Sequence, residues 1–64
     1  MKDWQERVVV EQTELRSKLN LLQAFIDGEE FSDKLSDRAQ RLLYNQEWRM
    51  GEYNLSLLER IDTF

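Results

Sequence analysis

Sixty-four residues without cysteine, histidine or proline exclude disulfide stapling and the usual zinc and iron ligand sets. A net charge of −4 argues against wrapping duplex nucleic acid, which needs a dense array of Lys and Arg against phosphates. No apolar run approaches membrane-spanning length, and a hydrophobic content of 41% is too high for a disordered tail.

The chain opens on Met1 followed directly by polar, charged sequence, which predicts no secretory leader and a cytoplasmic protein. The first helix is expected to begin near Asp3. That carboxylate is placed to cap free backbone N–H groups, with Glu6 three residues on returning the bond. Val8, Gln12, Leu15, Leu19, Leu22 and Ile26 then recur at spacings of four and three, a heptad-like seam. Trp4, Val9 and Phe25 widen it into the broader stripe of a globular helix. Gly28 follows as a C-cap, since glycine takes the left-handed conformation without strain.

Residues 28–35, "GEEFSDKL", are predicted to form a turn, with Phe31 and Leu35 folding back over the end of the bundle. Ser32 or Ser36 caps the second helix, and Asp37 in its first turn suits the helix dipole. That helix is expected over about 36–62, with Ala39, Leu43, Gln46, Met50, Tyr53, Leu57 and Ile61 as its seam. The two seams match: Ile26 with Ala39, Leu22 with Leu43, and so on to Trp4 with Ile61, give position numbers that add to 65 throughout. In that register Gln12 faces Tyr53 and Leu19 faces Gln46. The expected fold is therefore all-α: one antiparallel helical hairpin over residues 1–64 (helix 1 about 3–27, helix 2 about 36–62).

Two helices sharing one seam make a thin core. A buried apolar side chain contributes roughly 1.5–3 kcal/mol, while ordering costs roughly 1.5 kcal/mol per residue, so a lone hairpin sits near zero. The expectation is assembly into a homo-oligomeric helical bundle. A surface for it is available: Tyr44, Trp48, Gly51, Leu55, Leu58 and Asp62 repeat the four-three rhythm on a second face of the same helix. Mid-helix glycine costs roughly 1 kcal/mol relative to Ala, and close approach of another backbone is one reason to tolerate Gly51. The same face, with Tyr44, Trp48 and Leu55 as anchors, would also serve to dock a host protein.

Candidate ligand groups fall in three sets. Gln12, Gln46 and Tyr53 place polar groups in the seam, where amides set register or line a pocket. Arg7 and Arg60, beside Trp4, are expected to approach each other near the chain ends, with Glu6, Glu11 and Glu59 close by for surface ion pairs. Arg41, Asn45 and Arg49 interleave with Tyr44 and Trp48. Guanidinium beside an aromatic ring is what a phosphate and a base require. Catalysis has little support: no nucleophile–base pair, phosphate loop or metal spacing is legible, and no cofactor is expected.

The segments "ERVVVEQTELRSKLNLLQAFI" and "RLLYNQEWRMGEYNLSLLERI", with Phe31 and Leu35 between them, resemble a family of short, uncharacterised phage and prophage proteins related to a small protein of crAss-like phages. The resemblance spans essentially the whole chain, and Gln46, Met50, Tyr53 and Arg60 are its distinctive part; Trp48 and Gly51 lie outside the shared pattern. It implies a phage-encoded accessory protein in the host cytoplasm that acts by binding. By analogy of fold with anti-defence proteins that trap nucleotides, it implies a sponge for a small cyclic or ADP-ribose-type nucleotide. The alternatives are an inhibitor of a host defence protein and a purely structural coiled-coil module.

Overall fold

A computed structural model describes residues 2–64; Met1, on which the expectation of a missing leader rests, lies outside them. Two 25-residue helices, α1 (Asp3–Asp27) and α3 (Asp37–Ile61), run antiparallel, joined by the six-residue α2 (Glu29–Lys34). The result is an all-α hairpin shaped as a rod of 46 × 15 × 13 Å, with no strand among the described residues.

The helix ends follow local chemistry, with two departures from expectation. Asp3 is already helical; the cap is Lys2, and its backbone N–H donates to Gln5 Oε1 at 3.0 Å, so Gln5 does what was expected of Glu6. Asp3 and Glu6 remain in the first turn, where carboxylates offset the dipole. Gly28 is not left-handed. Its φ of −80° and ψ of 163° are extended backbone, and its N–H donates to the Phe25 carbonyl at 3.1 Å. The reason is that the chain does not reverse there but kinks into α2, filling most of the expected turn with helix. Ser36 caps α3 as expected, its hydroxyl accepting from the Ala39 N–H at 3.2 Å.

Along α1 the expected seam holds: Val8, Leu15 and Leu19 are buried, and Gln12, Leu22 and Ile26 half-buried. Trp4 instead stays half exposed, its ring edge-on to Phe64 at 5.2 Å between centroids. On α3 the seam is turned to one side. Leu43, Met50, Leu57 and Ile61 face α1, but Gln46 and Tyr53 are exposed, and Glu47 and Asn54 take their places. A polar pair decides it. Gln12 Nε2 donates to Asn54 Oδ1 at 3.0 Å, and Asn54 is only 7% exposed. An unpaired buried amide costs about 1–3 kcal/mol, so the register that joins the two amides wins over the one that sets Gln12 against Tyr53. The seam therefore keeps a polar layer, with Asn54 rather than Tyr53 in it.

At the loop end, Phe31 of α2 is buried between Phe25 and Tyr44, edge-on to both at centroid distances of 6.0 and 5.2 Å. Such T-shaped pairs add about 0.5–1.5 kcal/mol each beyond burial. This trio closes the bundle end as expected of Phe31. Among the described residues, five apolar side chains are buried while eleven large ones stay exposed, so the hairpin leaves much of its own apolar surface open.

Candidate functional site

Turning α3 about its axis has a consequence for function: it delivers Gln46 and Tyr53 to the surface. There they join Leu42, Asn45, Arg49 and Met50 along one flank of the helix, and these six side chains line an open groove. Positions 42, 45, 46, 49 and 53 recur at threes and fours, which places them one above another on a helix of about 3.6 residues per turn. Regular helix is thus all that is needed to assemble the site. Gln46 Nε2 lies 3.7 Å from Met50 Sδ, a weak contact that sets the amide against the groove wall and leaves it available to a better acceptor.

The chemistry of this flank is mixed in a specific way. Arg49 offers five N–H donors in a planar fork, suited to phosphate or carboxylate oxygens. The Asn45 and Gln46 amides both donate and accept, as a base edge or a ribose hydroxyl requires. Tyr53, Leu42 and Met50 supply apolar area on which a flat ring can lie. No carboxylate lines this groove. A second groove, along α1, is the opposite: Asp3, Glu6, Glu11 and Glu14 surround Arg7 and Val10. Four carboxylates against one guanidinium give a field that repels anions.

The expected site residues are therefore divided. Asn45, Gln46, Arg49 and Tyr53 are brought together. Gln12 is inside the hairpin and bonded to Asn54. Arg7 lies in the acidic groove, Trp4 rests on Phe64, and Arg60 is exposed in the last turn of α3, where a cation suits the helix dipole. Arg41 is exposed but does not line the α3 groove. Of the second face, Tyr44 touches Phe31, whereas Trp48, at 67% exposure, Leu55 and Leu58 remain open. Leu42 and Met50 are groove walls that the sequence did not mark as ligand residues; their place at i and i+8 on the Gln46 side of the helix was the available signal.

No group of His, Cys, Asp or Glu able to hold a metal is present among the described residues, and no helix there is long and apolar enough to cross a membrane. The flank sets one guanidinium and two amides beside apolar area; it presents no nucleophile with an adjacent base. No curated protein and no solved structure matches the chain. A family model described as Sequestin matches residues 2–63, nearly the full length, and the chain belongs to the Sequestin family.

Proposed function

We propose that this protein counters host antiviral defence from the host cytoplasm, as a phage-encoded homo-oligomer that sequesters a small nucleotide signal and releases it chemically unchanged. The observation that carries the reading is the α3 groove, where Asn45, Gln46, Arg49 and Tyr53 line one surface with apolar walls and no carboxylate. Arg49 takes a phosphate, the amides take base or ribose edges, and the ring lies against Tyr53. The family name fits a protein that holds a ligand rather than transforms it. Trp48, Leu55 and Leu58, exposed and outside the groove, supply the surface for assembly.

Thermal unfolding in the presence of cyclic dinucleotides, cyclic trinucleotides and ADP-ribose derivatives tests the ligand class. A ligand that binds only the folded state stabilises it by about 2.7 kcal/mol at one hundred times its Kd. One class is expected to raise the melting temperature by several degrees, and Tyr53→Ala to remove that rise while leaving helicity intact. A flat response across the whole panel contradicts the reading.

A second reading has its own observation. Trp48 stands 67% exposed beside Leu55 and Leu58, an anchor of the kind that carries protein–protein interfaces, and a host defence protein docked there would be blocked without any nucleotide.

A further inference from the structure

The groove is open because α3 buries one of two stripes that its sequence offers. Leu43, Met50, Leu57 and Ile61 belong to both. Glu47 and Asn54 complete the seam in place; Gln46 and Tyr53, one position earlier, complete the other and would then face α1 instead of lining the groove. At about 100° per residue, the two seams differ by a turn of roughly 40° of α3 about its own axis. Such a turn leaves the backbone bonds of the helix intact, because they lie within it. We propose that Gln12 and Asn54 are positioning residues for the groove. Their bond holds α3 in the one of two rotations that shows Gln46 and Tyr53 to solvent; without it the helix turns both inward and the groove closes. The proposal goes beyond the nucleotide reading and its test uses no nucleotide, so the two can fail separately.

Three observations carry it. The first is that apolar burial opposes the rotation in place. Tyr53 stands 46% exposed while Asn54, at 7%, takes the seam, although tyrosine removes far more apolar area from water than asparagine. Glu47 adds to the imbalance: it is half-buried with no ion-pair partner among the described residues, and the other rotation returns it to water. The second is that a single polar contact stands against this. Gln12 Nε2 donates to Asn54 Oδ1 at 3.0 Å, the one side-chain hydrogen bond between α1 and α3 among the described residues, and no ion pair joins the two helices there. With Gln12 in place, turning α3 would strand a half-buried amide, which is why the pair prevails. The third is the position of the groove at the edge of the moving surface. The turn takes in Gln46 and Tyr53 but leaves Arg49 outside, so the guanidinium loses its amide and its ring together. Packed helices settle in discrete arrangements rather than sliding continuously, so the two rotations are alternative states.

The chain has no cysteine, so one introduced thiol reports which side of α3 is open. Gln46→Cys and Glu47→Cys are made separately in the parent chain and in a chain carrying Gln12→Leu with Asn54→Leu. The rate of reaction with a maleimide is measured for all four. In the parent, the thiol at position 46 is expected to react faster than the one at 47, since Gln46 is exposed and Glu47 half-buried. In the leucine-paired chain the rate at 46 is expected to fall about tenfold and the rate at 47 to rise about tenfold. Opposite changes at adjacent positions are the mark of a turn, whereas a loosened hairpin speeds both. A third background, Gln12→Asn with Asn54→Gln, exchanges the amides at the same combined length and is expected to restore the parent rates. Circular dichroism keeps its helical signal in every chain. Any other pattern at 46 and 47 in the leucine-paired chain overturns the proposal. So does an exchanged pair that behaves like the leucine pair, or a leucine-paired chain that loses its helicity, since both rotations are folded states.

Discussion

Leu57→Ala lowers the stability of the hairpin by about 2–5 kcal/mol, the cost of deleting a large buried aliphatic side chain. Leu57 is 1% exposed and sits in the cluster formed with Val8, Leu15, Met50 and Ile61. The cost falls at the high end of that range where surroundings cannot collapse into the space. Here the neighbours are held on two regular helices, tied together by the Gln12–Asn54 bond. A domain this short has a small margin, with total stability at or below the low end of the usual range of about 5–15 kcal/mol. The variant is thus expected to be largely unfolded under conditions where the parent is folded. Urea unfolding followed by circular dichroism, at fixed protein concentration, measures this. Leu21→Ala is the matched control: Leu21 is 73% exposed, and its loss is expected to change stability by no more than about 0.5 kcal/mol. Equal effects at the two positions would contradict the placement of the core.

Arg49→Glu abolishes ligand capture while leaving the fold intact. Arg49 is exposed on α3 and lines the groove, so the substitution removes no buried contact, and glutamate forms helix as readily as arginine. A hydrogen bond to a charged group is worth about 1.5–3 kcal/mol, and reversing the charge adds repulsion against the phosphate it is meant to hold. A loss of about 3 kcal/mol corresponds to more than roughly a hundredfold in affinity. Titration calorimetry with whichever nucleotide raises the melting temperature gives the number directly. Arg7→Glu, in the acidic groove of α1, is expected to change affinity little. The reverse order of effects would move the site to the α1 side.

The hairpin was legible because each helix writes its seam in large aliphatic residues. Val8, Leu15, Leu19, Leu43, Leu57 and Ile61 leave little choice of partner face. The rotation of α3 was not legible from the same pattern. Leu43, Met50, Leu57 and Ile61 fit equally into a stripe completed by Gln46 and Tyr53 or by Glu47 and Asn54, both at threes and fours. Hydrophobicity prefers the first, since tyrosine buries more apolar area than asparagine. The structure takes the second because Asn54 can meet the Gln12 amide at 3.0 Å. A specific pair outweighs a general preference once a polar group is buried opposite. That one rotation also decides the candidate site: Gln46 and Tyr53, expected inside, become groove residues beside Asn45 and Arg49. Gly28 misled for a simpler reason. A glycine after a helix signals a break in the chain, but not whether the break is a left-handed cap or an extended kink into another helix.

The most direct test of sequestration is a capture-and-return measurement. The purified protein is mixed with the responding nucleotide at a molar excess of binding sites, the free ligand is collected by ultrafiltration, and the protein is then heat-denatured and the solution filtered again. Free nucleotide is expected to fall close to zero before denaturation and to return in full afterwards, with its mass unchanged. Free nucleotide that never falls, or that returns as a different compound, would contradict it.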